Sequence, residues 1–578
     1  MSRPGKTLWA FLILFLALVS LFLELGVRHD LIITVVIYAL DLFILAAIAG
    51  EFIVGFARER YHPAYLRRHA FDAIFLAVLA VLFIVSKYTA FLVSFHQAER
   101  VAVGLIVVRN IFVVLKVLSR YRRLKTFISE FARNPAQTIV LFFLAIILLG
   151  TLLLLLPLSR AGEGRLEIVD SLFTVTSAVC VTGLTVVDTA TAFSPFGKTV
   201  IALLIQFGGL GIMIFAFFTF FLMRRRMSLQ EQMTVSYVLD PRDMRNLSGM
   251  VFRIILITFL IEALGAAGLF FVFRGRFGGT VVPLAFSLFH SISAFCNAGF
   301  ALFTDNLESF RSDLGLNFVI AGLIILGGIS FGVINNLARV VSSRIGKDKS
   351  GRNIPPVHLT LNTKVVLVGT AILLVGGTLL IYNLEHRANL VRYDLKTEYL
   401  SAFFQSVTLR TAGFNTIPLG NLRVSTYLVM ILFMFIGGAS GSTAGGIKVN
   451  TVAVIGAFAR SVFKNRESVL LGRHSLPREM VNKALVIALL ATLIVFSGTL
   501  LLSITEKDPP INLLFETVSA LGTVGLSTGI TPSLTVPGKL VIIVVMFLGR
   551  LGPLTVIAAM PQRKVYHVKY PEESLSIG

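Results

Sequence analysis

A chain of 578 residues that is 56% hydrophobic, only 14% charged and of mean hydropathy +0.86 lies outside the range of soluble globular domains. It reads as an all-α polytopic membrane protein, because a helix needs roughly 20 apolar residues to cross the hydrocarbon core and about a dozen stretches qualify, among them 8–27, 136–157, 251–273 and 482–504. The net charge of +22 points away from nucleic acid: the basic clusters at 58–69, 119–125, 224–226, 344–352, 460–466 and 562–569 all fall on the cytoplasmic side if the N-terminus is inside.

The first apolar span lacks a small-residue cleavage site and is followed by further spans, so it reads as a retained helix and not a signal peptide. Residues 1–134 hold four spans, at 8–27, 31–56, 70–94 and 101–118. Asp41, Glu51 and Asp72 lie within them, and Arg109, Lys116, Arg120, Arg122 and Arg123 lie in or after the fourth. Ionisable groups inside a membrane normally face a bundle interior and pair. The layout resembles a voltage-sensor four-helix module, with Glu51 and Asp72 where its second and third helices carry counter-charges. Only Arg109 and Lys116 sit inside the fourth apolar stretch, and no every-third-residue series is present. The expectation is a degenerate sensor that packs against the remainder of the protein.

From residue 135 onward the chain repeats. Four octapeptides align, "SAVCVTGL" from Ser177, "SAFCNAGF" from Ser293, "VTLRTAGF" from Val407 and "SALGTVGL" from Ser519, each with glycine at its seventh place. Those glycines, Gly183, Gly299, Gly413 and Gly525, are 116, 114 and 112 residues apart, a period that marks an internal repeat. Before each octapeptide stands a short amphipathic run, 169–178, 283–294, 398–408 and 511–520, too short to span a bilayer. Such a run is a re-entrant half-helix, and the irregular backbone after it is tolerated at membrane depth only where it faces protein or water. Four such segments around one axis would satisfy their carbonyls with a dehydrated cation, and glycine supplies the backbone angles this needs. The half-helices would turn their partially negative C-terminal ends to that axis. Cys180 and Cys296 share the fourth octapeptide place and read as small packing residues, not as a disulfide.

The long helices after the octapeptides carry a second aligned series: "GGLG" at 208–211, "GGIS" at 327–330, "GGAS" at 437–440 and "GRLG" at 549–552. Glycine there bends helices and lets backbones approach. The third copy extends to "GGASGSTAGGIK", 437–448, too small and flexible for a rigid lipid-facing helix. Arg550 replaces glycine in the fourth copy, and an arginine at mid-membrane depth costs roughly 2.5–3.5 kcal/mol unless it faces water or a partner.

These residues, above all "TSAVCVTGLTVVDT" and "LRTAGFNT", resemble the Trk/Ktr/HKT superfamily of potassium transporters, TrkH/KtrB-like pore subunits in particular, over roughly 135–565. The resemblance implies four tandem helix/pore-loop/helix units around a pseudo-fourfold pore, preceded here by four extra transmembrane helices. The units would be 135–230, 231–345, 346–465 with a gating loop, and 466–565, followed by a cytoplasmic tail, 566–578. It implies filter segments at 180–184, 296–300, 410–414 and 522–526. Their ion-binding residues would be Cys180, Val181, Thr182 and Gly183; Cys296, Asn297, Ala298 and Gly299; Arg410, Thr411, Ala412 and Gly413; and Gly522, Thr523, Val524 and Gly525. Glycine in all four filters is associated in that family with preference for potassium. The gate would comprise Gly437, Gly438, Gly441, Ser442, Thr443, Gly445, Gly446, Lys448 and Arg550, with Arg550 projecting into the conduction path as a positive barrier and pairing with the loop. Arg410 calls for a buried partner, for which Glu516 is the candidate. Asp188 and Asp305, just beyond the filters, read equally as cation-concentrating carboxylates and as solvated loop acids.

The function so implied is potassium uptake across the cell membrane through a gated, carbonyl-lined filter, in a multi-pass protein with both termini cytoplasmic. No covalent cofactor is expected, and potassium is cargo. The resemblance also implies a homodimer, and a cytoplasmic ring of nucleotide-binding (RCK/KTN-type) regulatory subunits for which 460–483 offers a docking surface; no nucleic acid is expected. The alternative is a sodium- or proton-coupled symporter, whose repeats would usually be inverted, whereas these read as parallel. An enzyme is not expected: the nine histidines form no HExxH, and neither a nucleophile motif nor a P-loop occurs.

Overall fold

The computed structural model describes residues 135–162, 166–223, 247–277, 279–345 and 357–552, with isolated positions at 39, 40, 43, 46, 50, 56, 57 and 555. The sensor-like charges Asp41, Glu51, Asp72, Arg109 and Lys116 lie outside the described residues, as does the tail 566–578. The chain divides into two compact units, Met1–Arg133 with Leu156–Leu158, and Asn134–Leu155 with Ser159–Gly578. The second unit carries the four repeats.

Among the described residues, fourteen α-helices of twelve residues or more serve to describe it. The first repeat supplies α1 Pro135–Leu155, α2 Ile168–Cys180 and α3 Pro195–Met223. The second supplies α4 Leu247–Arg274, α5 Val281–Phe295, α6 Leu314–Gly328 and α7 Phe331–Ile345. The third supplies α8 Leu361–Glu385, α9 Leu395–Thr408, α10 Val424–Phe435 and α11 Val449–Phe463. The fourth supplies α12 Arg478–Thr505, α13 Pro510–Gly522 and α14 Val536–Leu551. A two-stranded hairpin, β1 Leu470–Leu471 and β2 His474–Ser475, turns at Gly472 between α11 and α12.

The first helix of each repeat is long, 21, 28, 25 and 28 residues, enough at 1.5 Å per residue to cross a bilayer. Their apolar faces stay exposed (Leu152, Leu264, Ile372 and Phe496 are all more than 60% accessible), as lipid contact demands. The second helix is 13 to 15 residues in every repeat and cannot cross. Each is longer than its amphipathic run suggested and is buried along its C-terminal half. Phenylalanine stands four residues before every octapeptide, at Phe173, Phe289, Phe403 and Phe515, and Phe173 and Phe515 are wholly buried. Fully burying such a ring is worth about 1.5–3 kcal/mol, which anchors the first and fourth short helices; Phe403 is only half-buried.

The last long helix is interrupted at the second glycine series in the second and third repeats, whereas α3 runs unbroken through 208–211. In the second repeat α6 and α7 meet at 99° across Ile329 and Ser330. In the third, no helix is formed between Phe435 and Val449. Short helices also contact the preceding repeat: α5 packs on α3, α9 on α6, α13 on α10, and α2 on α14. The series therefore returns to its start, so that repeat four touches repeat one.

Candidate functional site

The octapeptides begin in the last turn of the short helices. In the first, second and fourth, the residue at the fifth place turns left-handed (Val181 φ 57°, Asn297 φ 60°, Thr523 φ 48°) and closes a Schellman cap. Its bonds recur: Thr182 N to Ser177 O at 2.8 Å, Ala298 N to Ser293 O at 2.7 Å, Val524 N to Ser519 O at 2.8 Å. The third departs slightly, with Ala412 N on Thr408 O at 3.0 Å, but Thr411 is still left-handed at φ 69°. Such a conformation costs a non-glycine residue about 1–2 kcal/mol. Four matched instances are strain of the kind that clusters at functional sites.

Two residues later comes the glycine, left-handed again: Gly183 φ 93°, Gly299 φ 71°, Gly413 φ 78° and Gly525 φ 90°. The four stand together. A methyl placed on Gly183 would lie 2.5 Å from Ala298 O; on Gly299, 2.8 Å from Ala412 O; on Gly413, 2.6 Å from Val524 O; and on Gly525, against Thr182 O. The contacts run 183, 299, 413, 525 and back to 183. Four equivalent carbonyls, each from the sixth octapeptide place, thus sit beside the four glycines in one closed ring. Every residue of the four segments is buried except Gly525, which is half-buried, and the hydroxyls of Thr182, Thr411 and Thr523 have no hydrogen-bond partner among the described residues.

Side chains secure the segments differently. Ser177 and Ser519 accept the amides of Gly183 and Gly525 at 3.0 and 3.1 Å, and Ser293 donates to Phe300 O at 2.8 Å. Val407 has no hydroxyl, and the third segment is tied instead to the second repeat: Leu307 N donates to Asn415 O at 3.1 Å, and Asn415 Nδ2 to Glu308 at 2.9 Å. Cys180 and Cys296 are free, buried thiols, and Cys296 Sγ fills the space that glycine leaves at Gly209. Behind it, buried Glu262 accepts from Gln206 Nε2 at 3.2 Å, a contact that sequence spacing alone did not suggest.

The expected Arg410–Glu516 ion pair does not form. Arg410 is only 2% exposed and reaches Gly328 of the second repeat, and its Nε and Nη2 have no hydrogen-bond partner among the described residues. Glu516 points the other way and accepts from Thr531. The reason is geometric: the fourth octapeptide place faces the preceding repeat's inner helix, whereas Glu516 lies on the back of its own short helix.

Residues 436–448 close on themselves through the Ile436–Ile447 bridge, Gly437 N to Ile447 O at 2.7 Å and Val449 N to Gly438 O at 3.1 Å. The loop docks on the break after α6, with Ala439 N on Gly328 O at 3.1 Å and Thr443 Oγ1 on Gly327 O and Phe295 O at 2.9 and 3.2 Å. Gly445 lies against the Thr523 side chain. The second glycine series explains the approach. Gly208, Gly327 and Gly549 each seat against a third-place octapeptide carbonyl, Val179 O, Phe295 O and Leu521 O. Gly437 instead meets the loop's own Gly445 O, so the loop takes the place of the contact that the other three repeats make. Lys448 donates to Ala444 O and to Gly445 O. Arg550 donates to Thr443 O, Gly208 O and Gly209 O. Gly441 and Ser442 are partly exposed at the loop's tip, and Gly446 lies beside Gly522.

On the far side, Asp188 caps the short helix Thr189–Ala192 through Ala190 N at 2.8 Å, and Asp305 accepts from Ser309. Both carboxylates hold loop structure.

The chain matches the family model described as TrkH, a cation transport protein, over residues 105–568, beginning upstream of the first repeat. It is 39% identical over 447 residues to "Ktr system potassium uptake protein B" of Bacillus subtilis (strain 168), covering 77% of this chain and 97% of the relative. It is 35% identical over 454 residues to "Potassium/sodium uptake protein NtpJ" of Enterococcus hirae, covering 77% and 97%. Among solved structures the fold is similar to that of the potassium transporter TrkH from Vibrio parahaemolyticus, with TM-score 0.60 at 18% identity over 84% of this chain and 97% of that one.

Proposed function

The chain belongs to the TrkH family of cation transport proteins, and so is an integral membrane transporter and not an enzyme; from that premise we propose that it takes up potassium through a gated pore on a pseudo-fourfold axis between its four repeats. The closed ring of Gly183, Gly299, Gly413 and Gly525 with four sixth-place carbonyls carries the reading. Oxygens so arranged replace the hydration shell of a cation that enters without its water. The short helices end at this ring, and their C-terminal dipoles favour positive charge there. Hydroxyls of Thr182, Thr411 and Thr523, buried without a protein partner among the described residues, add oxygens that a cation would satisfy.

The gate is the 437–448 loop. It lies against the filter base through Gly445 and Thr523 and is held by Lys448 and Arg550. Two cations beneath a cation filter raise the barrier to conduction until the loop moves. By its family resemblance the protein works as a homodimer with cytoplasmic nucleotide-binding subunits and its termini inside, and by the separate likeness of residues 1–134 to a voltage-sensor module those spans are proposed to form a degenerate sensor.

The Bacillus subtilis relative is named for potassium uptake and the Enterococcus hirae relative for potassium/sodium uptake. Purified protein in liposomes, given potassium, rubidium and sodium over a range of voltages, tests the reading. Passive flux with potassium and rubidium well above sodium is expected. Flux that requires a sodium or proton gradient would replace it with symport.

A further inference from the structure

The position three residues before the octapeptide differs in all four repeats in chemical character. It holds Thr174, His290, Phe404 and Glu516. Thr174 spends its hydroxyl on its own helix, donating to Asp170 O at 2.8 Å, and Phe404 has no polar group. The other two reach past the helix to the strand that leaves the glycine ring.

His290 Nε2 accepts the amide of Leu302, three residues beyond Gly299, at 3.2 Å. An amide can only donate, so Nε2 carries no proton; Nδ1 carries it and donates to Phe286 O at 2.8 Å. The ring is neutral and fixed in one tautomer. Glu516 accepts from the Thr531 hydroxyl, and Thr531 Oγ1 lies 2.8 Å from the hydroxyl of Ser527, two residues beyond Gly525. Both side chains are fully buried. Titratable groups are costly at such depth and are kept where they hold something.

Repeats two and four stand opposite each other in the contact series, since each touches one and three. We propose that His290 and Glu516 are positioning residues that brace the outgoing ends of two opposed filter strands and thereby set discrimination between potassium and sodium. The inference rests on the filter reading under the proposed function. A carbonyl ring discriminates only while its oxygens hold their spacing, and a support that fixes a site within about 0.5 Å is the kind that matters. A strand free to shift lets the oxygens follow a smaller ion. The first and third strands have no brace at this place: Thr174 is bonded within its own helix, Phe404 has no polar group, and Asn415 is held instead by the second repeat.

The test is the potassium-to-sodium permeability ratio of the full chain in liposomes, beside thermal stability and size-exclusion behaviour. Glu516→Leu, His290→Leu and Thr531→Val, the last cutting the fourth brace from its other end, are each expected to lower the ratio on the order of tenfold, the worth of one buried charged or polar hydrogen bond. Glu516→Gln keeps an acceptor for Thr531 and is expected to stay near wild type. Combining Glu516→Leu with Thr531→Val is expected to be no worse than either alone. Folded variants with the wild-type ratio overturn the brace, as does Glu516→Gln behaving like Glu516→Leu. Wild-type vesicles with no preference for potassium overturn both the brace and the filter reading.

Discussion

Arg550 donates from one guanidinium nitrogen to the carbonyl of Thr443 and from the other to Gly208 O and Gly209 O. A residue on the last helix of the fourth repeat therefore clamps the 437–448 loop to the third helix of the first. Charge-assisted hydrogen bonds are worth about 1.5–3 kcal/mol each, and their loss should free the loop. Arg550→Ala is expected to raise rubidium flux in vesicles on the order of tenfold. Arg550→Lys should fall between, because an ammonium lacks the fork that spans two carbonyl groups. Flux unchanged in both would separate Arg550 from gating.

The glycine ring gives a second expectation. Alanine at Gly413 would place its methyl 2.6 Å from Val524 O, and the left-handed φ of 78° adds strain that no neighbour can relieve. Gly413→Ala and Gly525→Ala should each abolish the potassium preference or transport itself. Gly376→Ala is the matched control: it lies within α8 with nothing within 4 Å of the added methyl, and helix propensity favours alanine there by about 1 kcal/mol. Equal loss from the control would mean that the ring substitutions act through folding alone.

The repeat was legible because its physics is local. Glycine at a fixed place, a run too short to cross a bilayer and a second glycine series are all properties of short windows, and the structure sets them in contact across 116, 114 and 112 residues of chain. The phenylalanines at 173, 289, 403 and 515 are equally periodic and could have been found by extending the alignment four residues upstream. Partners of buried polar side chains were not legible, since they depend on which face of a helix meets which neighbour. Arg410 and Glu516 are adjacent in no repeat; the first turns to Gly328 and the second to Thr531. Asn306, Asn415 and Glu308 tie two repeats together through loops that carry no periodic signal.

Glu308 lies on that tie, outside the membrane-crossing helices. Burial raises its carboxyl above the ordinary range, Asp305 pushes the same way, and Arg311 and the hydrogen bond from Asn415 oppose them. A raised carboxyl is neutralised earlier as pH falls. If Glu308 attracts cations at the mouth, external acidification should weaken apparent potassium affinity before an ordinary carboxyl, near 4.3, would titrate. The effect should be severalfold at most, since the group is half-exposed and screened. The stability sign is opposite: the folded state favours the protonated carboxyl, so this group's contribution is lost as pH rises through its folded value. Glu308→Gln should flatten the acid limb of the affinity profile, and a profile identical to wild type would remove Glu308 from the mouth.

Repeats four and one meet at an ion pair. Lys539 Nζ on α14 donates to Asp170 Oδ1 at the start of α2, 2.6 Å away, and both side chains are largely buried at 11% and 15% exposure. The partners are 369 residues apart in the chain, so their bond closes the circle of repeats. Removing one partner strands the other charge in a poorly solvated place, at a cost of roughly 3 kcal/mol. Lys539→Met and Asp170→Asn should each lower the midpoint of thermal unfolding in detergent, and the double substitution should recover part of the loss because no charge is then left alone. Single substitutions that leave the midpoint unmoved would show that helix packing between α2 and α14 closes the ring without the ion pair.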